Sequence, residues 1–153
     1  MKLRIGNTFN TTTIRECCLS VFGCESRPMK CWFIPKNLIK QFGNEYTAWF
    51  VNLDGTISDD GKGRVWRNFL SLDENLITEE FLGEQDRLTP YDTAKSEDKK
   101  ITFMKLYDKP FGYKNRKIVG FKFVGVFIEQ NSTYENGQFK SKQFLKIANQ
   151  FEF

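Results

Sequence analysis

The chain contains no histidine, and that absence removes several chemistries. Ser-His-Asp and Cys-His activation of a nucleophile, the H-E-x-x-H zinc site and histidine-based nucleases all need an imidazole. Long apolar runs are missing too. None approaches the ~18 residues that suggest a membrane span, and "MKLRIGNTFN" lacks the apolar core and small-residue cleavage site of a secretion signal. No membrane partner is expected, and the expected location is the cytoplasm. Neither GxxxxGK[ST] nor GxGxxG spacing occurs, so no phosphate loop is expected. Cysteine is scarce and crowded into Cys17, Cys18, Cys24 and Cys31. That pattern lacks the separated C-x2-C pairs zinc prefers. It reads as reduced, buried thiols, with no metal and no cofactor expected.

What is present is aromatic and segregated in charge. A chain of 153 residues fits a single compact domain over 1–153, burying roughly 68–70% of the surface its unfolded form exposes. Aromatics make up 16% of it, with sixteen Phe; rings in that number must be buried or used. The net charge of +4 hides three zones: residues 1–72 carry ten bases and six acids, 73–98 two and nine, 99–153 eleven and four. Such asymmetry suits a polyanion-binding face beside an acidic flap, and suits equally a solvated loop beside solvated strands.

Periodicity predicts an α+β fold. "TIRECCLSVFG" has a Thr13/Glu16 capping box, apolar positions at helical spacing and a closing Gly23. "PKNLIKQFG" has Pro35 at a natural first helical position and Gly43 as its stop. From Tyr46 onward the pattern turns to strands: "YTAWFVNL", an Asp-Gly hairpin signal at "LDGT", "RVWRNFL", "ITFMKLYD", and a long strand from Ile118 to Gln130. "DENLITEEFLG" fits a helix or a strand, "EQDRLTPYDTAKSEDKK" reads as a long loop, and "NSTYENG" reads as a turn. The last segment reads as a strand with a short helical end. In the long strand, strict alternation puts Phe121, Phe123, Gly125 and Phe127 on one side and Lys122, Val124, Val126 and Ile128 on the other. Both sides are largely apolar, as in a central strand, and Gly120 and Gly125 allow a sharp bend or a close backbone approach. The expected architecture is a mostly antiparallel, strongly curved or barrel-like sheet with two N-terminal helices.

The candidate site is basic and aromatic. "GYKNRKIVGFKFVGVF" places Lys114, Arg116 and Lys117 just ahead of the long strand. Alternation in "RVWRNFL" puts Arg64 and Trp66 on a common face, with Arg67 on the other. Lys and Arg neutralise phosphates while rings offer stacking platforms, each stack worth ~1–3 kcal/mol. Arg64, Arg67, Lys114, Arg116 and Lys117 are therefore candidate phosphate contacts, and Trp32, Trp49 and Trp66 candidate stackers. The bland alternative is a set of core tryptophans and solvated cations. Glu97-x-Lys99 and Asp98-x-Lys100, with Asp92 upstream, imitate a PD-(D/E)xK nuclease, but they precede the strand rather than ride on it. Asp54 reads as a turn residue and not as a phosphoryl acceptor.

The stretch "KKITFMKLYDKPFGYKNRKIVGFKFVGVFIEQNS" resembles the end of PUA-like barrel modules, the group that includes ASCH, EVE and SRA-type domains. The resemblance rests on a strand, a basic turn and a "GFKFVGVF" strand. It implies a curved barrel that holds a modified or flipped base against aromatics, with no chemistry of its own; the helical N-terminus departs from it. The leading expectation is a non-enzymatic module binding DNA or RNA. One alternative is a small interaction protein, such as a phage-encoded or host-defence inhibitor, engaging a protein partner through Glu79, Glu80, Glu84 and Asp86. Another is a binder of a nucleotide-like small ligand.

Overall fold

The computed structural model describes residues 1–23 and 31–153; Cys24 and the "ESRPMK" turn lie outside the described residues. Strands β1 (Lys2–Arg4) and β2 (Thr8–Phe9) lead into helix α1 (Ile14–Phe22). Thr13 caps α1, its hydroxyl accepting from the Glu16 N–H at 3.1 Å, and Gly23 ends it at φ 69°. The return half of the capping box is displaced by one residue: the Glu16 carboxylate accepts from the Thr12 N–H at 3.1 Å. After β3 (Trp32–Phe33), Pro35 stands one position earlier than expected, as the N-cap of α2 (Lys36–Phe42). The remaining elements are β4 (Tyr46–Val51), β5 (Asp54–Asp59), β6 (Val65–Leu70), β7 (Leu76–Phe81), a 3-10 turn at Gln85–Arg87, α3 (Pro90–Thr93), β8 (Lys99–Tyr107), β9 (Ile118–Glu135), β10 (Gln138–Ala148) and β11 (Gln150–Glu152).

Several segments differ from expectation for local reasons. "LITEEF" is a strand, and the C-terminal segment is two strands with no helical end. The Asp-Gly at 54–55 does not close a hairpin: β4 pairs with β3 and, in parallel, with β8, while Asp54 and Gly55 open β5 at a register shift. The hairpin turn is the second Gly-rich break, between β5 and β6. The strand expected to stop at Gln130 runs on to Glu135. Its turn is Asn136-Gly137, both at positive φ, the backbone a two-residue hairpin of right-handed twist demands.

The main sheet runs β3-β4-β8-β9-β10-β7-β6-β5, with β2 also paired to β9. Every ladder is antiparallel except β4 with β8. It is an open path, and among the described residues no ladder joins β3 to β5; the expected barrel is not closed. β9 holds the sheet together by serving two partners: Ile118–Ile128 pairs with β8, and Val126–Glu135 with β10.

Register shifts interrupt β9 at three points, and the one at Val124 divides the core. Thr102 pairs with Gly125 and Phe103 with Phe123, so Val124 is an extra residue, and Gly125 has φ +130°. A bulge of this kind reverses the facing of every later residue in the strand. Phe121, Phe123 and Val126 therefore enter one core with Cys17, Cys18, Phe22, Leu38, Phe50 and Phe103, whereas Val124 and Phe127 enter a second with Trp49, Ile77 and Phe144. A Cβ at Gly125 would lie 3.0 Å from the Ala148 carbonyl oxygen, and one at Gly120 3.0 Å from that of Phe9, so both glycines mark close backbone approach. The helices cover the first core, and the second lies against the strands that carry the candidate site.

Candidate functional site

The face of β6 that bears Trp66 continues across two more strands. Trp66 lies opposite Phe81, Asn68 opposite Glu79 and Leu70 opposite Ile77; on the next strand Glu79 faces Lys142 and Ile77 faces Phe144. Directly opposed residues share a face, so a polar row, Asn68–Glu79–Lys142, runs between two apolar ones. On one side Trp66 meets Phe81 with ring centroids 4.8 Å apart and Phe139 at 6.1 Å. On the other, Phe144 meets Trp49 at 5.0 Å.

The row is only partly satisfied. Lys142 Nζ pairs with Glu129 at 3.1 Å, both side chains almost fully buried, and donates to the Ala94 carbonyl at 2.8 Å; the Ser96 N–H donates to Glu129 at 3.2 Å. Lys100 pairs with Asp98 at 3.0 Å. Asn68 Oδ1, by contrast, is buried with no hydrogen-bond partner. Burial pushes the Glu79 carboxyl up to about 7, against the pull of Lys142 and Lys100, with Glu129 and Asp92 adding repulsion.

The structure divides the expected phosphate contacts into two kinds. Arg64 is bound through both guanidinium nitrogens to Asp92, at 2.6 and 2.7 Å, and donates to the Arg87 carbonyl at 3.1 Å. Arg67, on the opposite face, grips Glu80 across the strands at 2.9 Å and lies 5.0 Å over the Phe69 ring. Arg116 reaches Asp54 at 2.5 Å, Thr56 at 3.0 Å and the Lys109 carbonyl at 3.1 Å, with its guanidinium 4.0 Å over Tyr107. Lys114 and Lys117 are exposed. Of the expected stackers, Trp66 is half-buried and Trp32 exposed, while Trp49 is core at 5% exposure. Arg64 and the 114–117 loop do not meet: the loop is pinned near Asp54, which pairs with Phe69, and Arg64 precedes the other end of β6.

The acidic segment is folded back on the chain. Glu80 holds Arg67, Asp92 holds Arg64, and Glu84 approaches Arg87 at 3.5 Å. The Asp92 carboxyl, gripped by Arg64 and by Thr89, is drawn down to about 2. Gln85 ties the segment to β10, its amide donating to the Phe139 carbonyl at 2.8 Å and accepting from the Phe139 N–H at 3.0 Å. Asp86 is exposed. The residues of the nuclease-like pattern are engaged here too, Asp92 with Arg64 and Asp98 with Lys100. Among the described residues no group of three or more His, Cys, Asp or Glu could hold a metal ion, and no helix is long and apolar enough to cross a membrane.

Sequence reasoning missed Asn68, although alternation already set it beside Trp66. It also missed Phe111 and Tyr113, exposed by 60% and 64% in the turn that carries Lys114. Their positions in "KPFGYKNRK", between turn residues and cations, were the available signal.

The sheet is mixed and mostly antiparallel, and the family to which the chain belongs makes it a nucleic-acid-binding module. The chain belongs to the SRA family: the model of the SET and RING associated domain matches residues 2–153. The relationship foreseen for the C-terminal part thus takes in the N-terminal helices as well. SRA domains bind DNA as methylcytosine readers. Among solved structures the chain is similar to "The 5-Hydroxymethylcytosine-Specific Restriction Enzyme AbaSI", with a TM-score of 0.63 and 16% identity over 99% of this chain. It spans 42% of that chain's length. No curated protein matches. The expectation of a non-enzymatic module is corrected by this finding, since the solved neighbour is a restriction enzyme.

Proposed function

We propose that the chain binds double-stranded DNA and receives a cytosine bearing a 5-substituent, rotated out of the duplex, on the Asn68–Glu79 row between Trp66 and Phe144. Lys114 and Lys117 lie against the phosphates, with Phe111 and Tyr113 beside them. Arg64, Arg67 and Arg116 hold strands and loop in place, and Trp49 forms the floor behind Phe144. The observation that carries this reading is the orphaned Asn68 Oδ1 on the strand position directly opposite Glu79. A buried acceptor without a donor costs about 1–3 kcal/mol, and folded chains retain such a group where a ligand supplies the missing donor. A flipped base supplies it through its exocyclic amine, and a ring beside the row supplies stacking. The family's DNA binding and the 5-hydroxymethylcytosine in the neighbour's title direct the reading to modified cytosine.

The test is anisotropy of labelled duplexes carrying one central cytosine, 5-methylcytosine or 5-hydroxymethylcytosine, at about 50 and about 200 mM salt. A 2-aminopurine next to the target base reports its departure from the stack. Binding should weaken steeply with salt, and Asn68→Ala should abolish the 2-aminopurine signal and the preference for a modified base while leaving salt-sensitive binding. Salt-sensitive binding with no 2-aminopurine change in the unsubstituted protein would overturn the base-reading part.

A further inference from the structure

The row that receives a base, the proposed function on which this inference rests, is covered in the free chain. Asn68 Oδ1 is buried, and Lys142 and Glu129 are only 6% and 4% exposed. A base reaches such a row only if some element moves aside, and the row itself stands on strands paired on both sides. What lies across it is the segment between β7 and β8. Its Ala94 carbonyl accepts from Lys142 at 2.8 Å, its Ser96 N–H donates to Glu129 at 3.2 Å, and Asp92 is near enough for its charge to act on Glu79. We propose that residues 86–98 form a lid over the base row, latched by the fork of Arg64 on Asp92, and that release of this latch admits the base.

The lid is fastened firmly at its two ends and lightly between them. Before it, the Leu82 and Glu84 N–H groups donate to the Val65 and Gly63 carbonyls at 2.8 and 2.9 Å; after it, the Lys99 N–H donates to the Glu45 carbonyl at 2.8 Å. Inside it, the N–H groups of Arg87, Leu88, Asp92 and Ala94 bond only to carbonyls three or four residues back. No residue from Leu82 to Asp98 is buried, so no apolar anchor holds the lid to either core. Among the described residues its distant ties are polar side-chain contacts, from Arg64, Lys142, Glu129 and Thr47. Arg64 supplies most of them, with two bonds to Asp92 at 2.6 and 2.7 Å and one to the Arg87 carbonyl at 3.1 Å. Its side chain is one-third exposed, so water can replace Asp92 without any breach of the core. Lys142 and Glu129 hold each other at 3.1 Å and keep that pairing when the lid lifts. A surface segment with exposed polar ties and no buried apolar side chain opens far more readily than the whole fold, and the closed fraction lowers the apparent affinity for whatever enters beneath it.

The test follows the 2-aminopurine signal of the 5-hydroxymethylcytosine duplex by stopped flow against rising excess of protein. For the unsubstituted protein the rate of the fluorescence change should level off at the rate of lid opening. Arg64→Gln should raise that plateau about tenfold and tighten the duplex about threefold, and Arg64→Lys, which keeps the charge and loses the fork, should fall between. Hydrogen exchange of the free protein needs neither DNA nor a variant: residues 86–98 should exchange at least about tenfold faster than β9 and β10. In Arg64→Gln they should exchange faster still, with β9 and β10 unmoved. An unchanged plateau in a variant whose lid exchanges faster would overturn the proposal and leave the proposed function standing, and so would a lid that exchanges as slowly as β9 in the unsubstituted protein. Weaker duplex binding by Arg64→Gln at an unchanged plateau would overturn it as well, by making Arg64 a phosphate contact. No 2-aminopurine response from any of the three proteins would overturn the lid and the base reading together.

Discussion

The basic turn at 108–117 and the acidic segment at 73–98 are mirror images in sequence and unlike in the folded chain. The turn commits one cation, Arg116, to its own architecture and leaves Lys114 and Lys117 in solvent beside exposed Phe111 and Tyr113. The acidic segment commits more than half of its charge: of its nine acids, Glu74, Glu80, Glu84, Asp92 and Asp98 each have an internal cation. A run of like charge says little about a binding face until the opposite charges that folding brings alongside are known. Here β6 carries Arg67 straight across from Glu80 and delivers Arg64 to α3. That supply of cations makes the acidic segment a brace, and it leaves the protein-partner alternative without support.

The strongest way to break the contrast is charge reversal on each side. Lys114→Glu with Lys117→Glu should lower duplex affinity roughly 50-fold at low salt and flatten its salt slope, whereas Glu84→Lys with Asp86→Lys should change it less than about threefold. Equal losses in the anisotropy titrations would erase the distinction. Next in size is the brace itself. Asp92→Asn should cost about 1–2 kcal/mol in thermal or urea unfolding, by removing the two-pronged Arg64 contact and weakening the start of α3. The sign of its pH dependence is set by an Asp92 carboxyl held at about 2 rather than the ordinary 3.8. Its stabilisation is complete above about pH 4 and is lost as pH falls toward 2, so the variant and the unsubstituted protein should converge in acid. A smaller effect is expected from Arg116→Lys, which keeps the charge but loses the fork onto Asp54 and Thr56 and the stack on Tyr107. Affinity should fall about threefold while proteolysis within 109–115 quickens; a drop matching that of the double reversal would make Arg116 a phosphate contact after all. Smallest is Glu84→Ala, whose partner lies 3.5 Å away with both side chains more than half exposed. It should shift stability by less than about 0.5 kcal/mol.

Much of the fold was legible because local rules and tertiary demands agree there. Thr13, Glu16 and Gly23 delimit α1, and the common face of Trp66 and Asn68 comes from simple alternation. What was not legible depended on partners distant in sequence. Asp54-Gly55 resembles a hairpin turn until β8 takes the place beside β4. Arg64 and Arg116 resemble phosphate ligands until Asp92 and Asp54 arrive from 28 and 62 residues away. Glu79 was visible as one more acid in an acidic run. Its distinction comes from Asn68 opposite it and from cations already taken, and no window of sequence contains those.

The extra residue at Val124 has a consequence for how this chain tolerates genetic change. A substitution there alters one side chain, while Gly125, at φ +130° with Lys146 and Ala148 close by, resists most of them. Loss of a single codon at 124 is a different kind of event. It would restore regular alternation and turn every downstream side chain of β9 to the other face, sending Val126 away from the helices, Phe127 away from Trp49, and Glu129 away from Lys142. Insertion and deletion scans should therefore find this strand far less forgiving than substitution scans do, with the boundary of intolerance at the bulge.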